Sequence, residues 1–165
     1  MEASDQLRPI WDRLVGAQTD DQSLQQTLWE EITAQYSGPE RHYHNLDHIL
    51  YMAHLAEDRR ALLTDPDTLL FSIFYHDIVY DAARNENEAK SAETARLRLE
   101  HLGYPEVRIQ ICVRQILATK DHADARDQDT SYLLDMDLAI LAANIGGEEY
   151  SIIGTSLGGM MGMIL

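Results

Sequence analysis

The sequence predicts an all-α fold, a compact bundle of helices. Apolar residues recur at helical spacing through nearly the whole chain, and the alternation typical of strands is nowhere convincing. Glycine and proline interrupt the helical stretches, as at Ser37-Gly38-Pro39 and Thr64-Asp65-Pro66-Asp67. With 165 residues, 45% of them hydrophobic and 25% charged, the chain has the composition of one globular domain with a sizeable core.

Each predicted helix follows from an apolar stripe and from the residues that end it. The first contains Pro9 near its first turn, the second has Leu24 and Ile32 on one stripe, and the third begins near the N-cap residue Asn45. Gly103 ends the fifth helix, and the polar run 121–129 is predicted to be a loop. The predicted helices lie at about 4–15, 22–36, 45–55 and slightly beyond, 69–80, 88–102, 107–117 and 131–143.

We expect residues 1–150 to form a single helical domain and residues 151–165 to form an atypical tail. The tail is rich in glycine and methionine, has no charged residue, and is too short and glycine-rich for a confident membrane span. Our interpretation is that a truncation or a frameshift produced it. We expect it to be poorly packed or to lie in a contact between copies of the chain, which makes a homo-oligomer one expected assembly.

The charge and cysteine content exclude several classes of partner and site. The chain has 13 Lys and Arg against 28 Asp and Glu, a formal charge of -15, which disfavours nucleic acid and anionic membranes as partners. A phosphate-bearing ligand therefore needs a local cation such as a metal ion. Cys112 is the only cysteine, so neither an intramolecular disulfide nor a thiolate cluster can form. The segment 1–14 is not a signal peptide in character, and we expect a cytoplasmic location.

Histidine and aspartate stand at positions that helical spacing predicts to be buried. His48 continues the inner stripe of the third helix, and His44, four residues earlier, would share its face on a helix. The pair His76-Asp77 falls in the most apolar helix, where a carboxylate is costly to bury without a cation or several donors. Asp137 lies on the inner side of the last helix. The sequence therefore places two imidazoles and two carboxylates inside the domain.

These residues admit two interpretations when each is taken alone. A buried histidine is often hydrogen-bonded to a neighbour, and Asp77 could simply cap a helix or pair with an arginine. Taken together, two imidazoles and two carboxylates suit a divalent ion such as Mn, Fe, Co, Ni or Zn in a site open to water. We also keep Mg among the candidate ions.

The order His48, His76-Asp77, Asp137 resembles the H…HD…D motif of the HD superfamily of metal-dependent phosphohydrolases. The chain is most similar to a bacterial subgroup of predicted HD phosphohydrolases, over about residues 11–150. The resemblance implies an HD-domain helical bundle in which His48, His76, Asp77 and Asp137 bind one metal ion. The matching blocks are Arg41-His42-Tyr43-His44-Asn45-Leu46-Asp47-His48, His76-Asp77-Ile78-Val79-Tyr80-Asp81, Asn87-Glu88 with Ser91-Ala92, Thr119-Lys120-Asp121-His122, and Leu134-Asp135-Met136-Asp137-Leu138.

The resemblance also implies catalytic roles. The block from Tyr43 to His48 is similar to the first metal-site block of cyclic-nucleotide phosphodiesterases, which implies that His44 is the general acid. Related enzymes use the second aspartate of an Asp-x-Asp block, which favours Asp137 over Asp135. Asn87 stands where binuclear members have a further histidine, and His122 is the only other candidate in a plausible place, so we expect a mononuclear site. His122 and Lys120 are kept as candidate catalytic residues. Lys120 and Arg41 are candidate phosphate anchors.

The predicted function is metal-dependent hydrolysis of a phosphate ester or anhydride of a small molecule, such as a nucleotide. Two other functions remain open from the sequence. One is a non-catalytic regulatory module that binds a metal ion or a nucleotide. The other is an iron oxygenase of the HD type. An intact His44 next to an open metal position favours the hydrolase, because a structural metal ion prefers a closed shell of four ligands.

Overall fold

The computed structural model describes residues 1–122 and 125–146, and these residues form a bundle of helices without a strand, so the all-α prediction is confirmed. The tail at 151–165, and the expectation about its packing, lie outside the described residues. A single-turn 3₁₀ helix, Arg60–Leu62, joins the third and fourth helices. The α-helices in the described part of the chain are α1 Ala3–Gly16, α2 Gln22–Gln35, α3 Leu46–Asp58, α4 Pro66–Tyr75, α5 Asn87–His101, α6 Glu106–Ala118 and α7 Gln128–Gly146.

The boundaries of α1, α2, α5 and α6 lie within a residue or two of the predicted ones, whereas those of α4 and α7 differ by three residues or more. Pro9 lies inside α1 rather than in its first turn. Helix α7 begins three residues earlier than predicted, because the Asp127 carboxylate accepts hydrogen bonds from the backbone N–H and the hydroxyl of Thr130 and so caps the helix. Over residues 1–122 and 125–146, no helix has both the length and the apolar composition needed to cross a bilayer.

Helix α4 is the central element of the bundle. Every residue from Thr68 to Tyr75 is buried, and the helix packs against α3, α5, α6 and α7. Because it is covered on all sides, its sequence is apolar all round instead of amphipathic. The residue that follows its last turn, His76, therefore enters the interior of the protein.

An aromatic cluster attaches the first two helices to α4. The Trp11 ring lies 4.9 Å from the Phe74 ring and 6.1 Å from the Phe71 ring, both in edge-on contacts, and 6.2 Å from the Trp29 ring. Such edge-on pairs add about 0.5–1.5 kcal/mol each beyond the area that they bury. Trp11 therefore packs α1 against α4, and its contact with Trp29 joins α2 to the same cluster.

The prediction of a helix over residues 69–80 was wrong at both ends. Asp65 caps α4 through the backbone N–H of Thr68, so the helix starts earlier, and it ends at Tyr75. The Tyr36 hydroxyl donates to the Phe74 carbonyl at 2.7 Å and accepts from the Asp77 backbone N–H at 3.2 Å. These two bonds replace the next helical ones, so His76 and Asp77 lie in a turn.

The start of α3 separates His44 from His48. Asn45 is the N-cap, as predicted, because its side-chain oxygen accepts from the backbone N–H of His48 at 3.2 Å. His44 precedes this cap, so it lies in the loop and not one helical turn before His48. The two rings are 6.2 Å apart and nearly perpendicular.

Candidate metal centre

Three helices bring His48, His76 and Asp137 together in the interior. His48 comes from the first turn of α3, His76 follows α4, and Asp137 lies in the middle of α7. Their exposed fractions are 2%, 1% and 6%. The His48 Nε2 atom lies 3.3 Å from His76 Nε2 and 3.1 Å from Asp137 Oδ1, and the last two atoms are 3.5 Å apart. Two imidazole nitrogens and a carboxylate oxygen this close require a cation between them, either a proton or a metal ion.

The dimensions of this trio fit a transition-metal ion. A circle through the three atoms has a radius of about 1.9 Å, slightly less than the bond lengths of roughly 2.0–2.2 Å that imidazole nitrogen and carboxylate oxygen make to zinc. One ion can therefore bond to all three atoms from one side of their plane. The trio His48, His76 and Asp137 could hold a metal ion.

The His76 ring is already oriented as a metal ligand. Its Nδ1–H donates to the carbonyl of Ile73 at 2.7 Å, which directs Nε2 at His48 and Asp137. A hydrogen bond of this kind fixes both the tautomer and the plane of a metal-binding histidine. Because the acceptor belongs to the backbone of α4, the orientation of the ring follows from the helix itself.

The buried charges in the cluster favour cation binding. Burial by itself favours the neutral ring of His76, but the carboxylates of Asp77 and Asp137 raise its pKa well above the ordinary value. Burial opposes ionisation of Asp137, yet hydrogen bonds from His122 and His48 hold its pKa well below the usual range. A lowered pKa favours the ionised form of Asp137, and a divalent ion would balance its charge together with that of Asp77.

Comparisons of the chain with protein families, with curated proteins and with solved structures gave no match. The functional assignment therefore depends on the donor atoms and their surroundings. Imidazole and carboxylate donors suit Zn, Fe, Mn, Co and Ni, whereas a copper or zinc site of the thiolate type needs cysteine. Cys112, the only cysteine, is buried on α6 and is not part of the cluster.

Asp77, the fourth predicted ligand, lies next to the trio, and its carboxylate is also hydrogen-bonded to His44. Its Oδ2 atom is 3.3 Å from His76 Nε2 and 3.9 Å from His48 Nε2, and it accepts a 2.7 Å hydrogen bond from His44 Nδ1. Burial opposes its ionisation, but His76 and the bond from His44 lower the pKa of Asp77 well below the usual range. The same carboxylate oxygen therefore borders the candidate metal position and orients His44.

Arg41 joins the loop that carries His44 to the turn that carries Asp77. Because it is buried there, it is not available as a phosphate anchor. The side chain is buried, and its guanidinium donates to the carbonyls of His44, Asp77 and Ile78 at 3.2, 2.6 and 3.0 Å. The two terminal nitrogens are used on the backbone, which the sequence could not show, whereas the buried Nε has no partner among the described residues. The expectation that Arg41 anchors phosphate is therefore replaced by a positioning role.

His122 approaches the cluster from the loop between α6 and α7. Its Nε2 atom lies 2.7 Å from Asp137 Oδ2, the carboxylate oxygen opposite to the one that faces His48. Its φ of 54° is the only positive value for a non-glycine residue among the described residues. Such a conformation costs about 1–3 kcal/mol and persists where surrounding contacts hold it. The bond to Asp137 is one of these contacts, so His122 orients the carboxylate.

Three other residues of the matching blocks, of which only Lys120 was predicted to act in the site, lie away from the trio. Lys120 is exposed at the end of α6, and no side-chain hydrogen bond or ion pair joins it to the cluster in residues 1–122 and 125–146. Asp135 is buried, but it is not one of the converging side chains, and burial raises its pKa. Asn87 closes a loop by exchanging hydrogen bonds with the backbone of Asp81 at 3.0 and 3.1 Å.

Two tyrosines that support the site were not identified as site residues from the sequence. Tyr36 forms the hydrogen bonds that end α4, and the Tyr80 ring stacks on the His44 ring at 4.6 Å. The Arg41 guanidinium lies over both tyrosine rings, at 5.0 and 5.3 Å from their centroids. Helical spacing in the sequence could have indicated that Tyr36 is buried, because it follows Leu28 and Ile32 at intervals of four residues on the inner face of α2. No such pattern marks Tyr80.

Proposed function

We propose that this protein is a metal-dependent phosphohydrolase that cleaves a phosphate ester or anhydride of a small molecule. The observation that supports this proposal is the convergence of His48, His76 and Asp137, with Asp77 connecting them to a third, partly exposed histidine, His44. A divalent ion bound there would lower the pKa of a water ligand and polarise a phosphoryl oxygen. One ion per chain is the simplest occupancy, because the trio supplies a single set of donors.

In this proposal His44 supplies the proton to the leaving oxygen. Its Nδ1 atom is bonded to Asp77, so the other ring nitrogen is the one that can face a substrate. The side chain is 28% exposed, unlike the nearly inaccessible His48. Stacking on Tyr80 limits rotation of the ring. Asp77 and Tyr80 therefore hold an imidazole at the edge of the site in one orientation.

The test is His44→Ala, with the exposed α3 residue His54→Ala as the matched control. We expect His44→Ala to keep its metal while the turnover of an alkyl phosphate falls by roughly 10²–10⁴-fold. The loss should be smaller for nitrophenyl phosphate, whose leaving group needs little protonation. His54→Ala should match the wild type. Full activity of metal-loaded His44→Ala on the alkyl ester would remove His44 from the mechanism.

Two further results would redirect the assignment. Loss of metal from His44→Ala would make His44 a ligand instead of an acid. A wild-type protein that binds metal but releases phosphate from no ester or anhydride, with Mn²⁺ added, would favour the regulatory binding module. Metal content, melting temperature and turnover should be measured on the same preparation, so that misfolding is separated from loss of chemistry.

The donor set of the trio gives specific support to one other function. Two histidines and one carboxylate on one side of an ion are the ligand set of non-haem Fe(II) oxygenases, which keep the remaining positions open. The second candidate is therefore an iron oxygenase. Oxygen uptake by the anaerobically Fe(II)-loaded protein, with organic phosphates or phosphonates as co-substrates, would distinguish it. Phosphate release with Mn²⁺, which supports no such oxidation, would favour the hydrolase.

A further inference from the structure

A cleft beside His48 offers space for the organic part of a ligand. The cleft has a volume of about 420 Å³ and lies between the start of α3 and Ile140 of α7. His48 forms part of its wall, so the cleft adjoins the trio. A molecule whose phosphate reaches the trio can therefore extend into this space.

The charge of the cleft differs from that of an ordinary phosphate pocket. Asp47 contributes the only carboxylate to its wall, and no lysine or arginine lines it within the described part of the chain. Two tyrosines, Tyr43 and Tyr51, add aromatic surface, and Tyr43 is 56% exposed. A carboxylate together with aromatic rings attracts a cation, through Coulomb attraction and through the quadrupole of the rings. The same wall repels a second phosphate or a carboxylate.

One ring nitrogen of His48, a residue of the cleft wall, is enclosed by protein and lacks a partner in the described part of the chain. The Nδ1 atom of His48 is inaccessible and makes no hydrogen bond among the described residues. If Nε2 binds a metal ion, Nδ1 carries the proton and becomes a donor, and a buried donor without a partner costs about 1–3 kcal/mol. Because the atom is inaccessible, an occupant of the cleft does not contact it in this structure, and the ligand preference of the cleft depends on Asp47 and the tyrosine rings.

We infer that the cleft binds the amine-bearing end of the substrate, so that the substrate is a phosphate ester of an amino alcohol. This inference rests on the proposed function, because that function is what places the phosphate of the substrate at the trio. The role of Asp47 is to pair with the ammonium group, and Tyr43 contributes ring surface beside it. Polyphosphates and phosphorylated carboxylic acids are disfavoured because Asp47 repels them.

The test compares three ligands that differ only at the end remote from the phosphate. Phosphoethanolamine ends in an ammonium group, 2-hydroxyethyl phosphate in a hydroxyl, and phosphoglycolate in a carboxylate. Dissociation constants are measured by titration calorimetry on the Mn²⁺-loaded protein, and phosphate release is measured in parallel. We expect phosphoethanolamine to bind about tenfold or more tightly than phosphoglycolate, with the hydroxyl compound between them.

Variants of Asp47 make the test specific. Asp47→Asn should reduce the preference to within about threefold, and Asp47→Lys should reverse it. Glu106→Lys is the matched control. Glu106 is an exposed acid in the first turn of α6, so its replacement by lysine changes the net charge by the same amount as Asp47→Lys but away from the cleft. This control should keep the wild-type order of affinity.

The outcomes separate this inference from the proposed function. Phosphate release without the expected order of affinity, or an order that survives Asp47→Lys, would overturn the cleft inference and leave the hydrolase proposal standing. The expected order of affinity without release of phosphate from any ligand would support the cleft inference and contradict hydrolysis. Tighter binding of phosphoglycolate by the wild type would overturn the inference directly.

Discussion

At the scale of single residues, the site depends on side chains that hold the backbone as much as on those that face the metal position. Arg41 is the main example, because its guanidinium joins the His44 loop to the turn that carries Asp77. The bonds run from a charged donor to backbone carbonyls, and such bonds contribute about 1.5–3 kcal/mol each. Arg41 also lies against two tyrosine rings, so few other side chains could fill its place.

We expect Arg41→Ala to lower the free energy of unfolding of the metal-free protein by about 2–4 kcal/mol, because it leaves buried carbonyls without donors. The affinity for metal should fall as well, since Asp77 and His44 lose their common support. Arg41→Lys should recover only part of both losses. The measurements are urea unfolding and metal titration. Arg84→Ala is the control, because Arg84 forms an exposed ion pair with Asp81 and should cost less than about 0.5 kcal/mol. Equal effects of the two alanine variants would contradict the positioning role.

The sequence allowed part of the site to be predicted from single residues. Helical periodicity put His48 and Asp137 on inner faces, and the structure has both buried. The role of Arg41 was not predictable, because its partners include carbonyls 36 and 37 residues further along the chain. Periodicity reports which side of a helix faces the core. It does not report which backbone groups outside a helix need a donor.

At the scale of elements, α4 shows how the ends of a helix set the geometry of the site. Its apolar composition predicted a buried helix, but its last turn was predicted too late, because Tyr36 replaces the helical hydrogen bonds at Phe74 and Asp77. The start of the helix is fixed by Asp65, which caps the first turn and forms a two-point ion pair with Arg108 of α6. Both ends therefore depend on contacts with other helices.

The Asp65–Arg108 pair makes the stability of α4 dependent on pH. Burial raises the pKa of Asp65, but Arg108 and Thr68 outweigh it and lower the pKa below the ordinary value of 3.8. A carboxyl with a lowered folded-state pKa stabilises the protein above its unfolded pKa, and this contribution disappears as the pH falls through the folded value. We therefore expect the loss of stability in Asp65→Asn to be largest above about pH 5 and to shrink toward about pH 3.

Urea unfolding of the wild type and Asp65→Asn across this pH range checks the prediction. Asparagine can still cap the helix, so the variant isolates the charge. Asp21→Asn, at the N-cap of α2, is the control, because Asp21 caps a helix without an arginine partner among the described residues. A difference between Asp65→Asn and wild type that grows as the pH falls would contradict the ion-pair account.

At the scale of the whole molecule, the candidate metal centre is the point where α3, the end of α4 and α7 meet. An ion bound there would link residues that are far apart in the sequence. The protein has a formal charge of -15, and the cluster contains the buried carboxylate of Asp137 and the partly buried carboxylate of Asp77. Without a cation these carboxylates depend on histidine protons for compensation, so a divalent ion should stabilise the entire bundle.

We expect metal binding to raise the melting temperature of the whole domain. An ion at 100 times its dissociation constant contributes about 2.7 kcal/mol when it binds only the folded state. Removal of metal with a chelator should lower the melting temperature, and addition of Mn²⁺ or Zn²⁺ should restore it. The measurement is thermal unfolding followed by circular dichroism. A melting temperature that does not change with metal in a protein that demonstrably binds it would contradict the linkage.

Asp137 offers the sharpest test of a single metal centre formed by His48, His76 and Asp137, because α7 supplies its own control. Asp135 is two residues away on the same helix and equally buried, yet it lies outside the trio and its Oδ2 atom has no partner among the described residues. The measurement is the metal content of wild type, Asp137→Asn and Asp135→Asn by elemental analysis, after equilibration with Mn²⁺ and removal of free ion. We predict about one ion per chain in the wild type and in Asp135→Asn, and almost none in Asp137→Asn, because a neutral amide is a poor substitute for the carboxylate. Wild-type metal content in a folded Asp137→Asn protein, or an equal loss in both variants, would contradict the account.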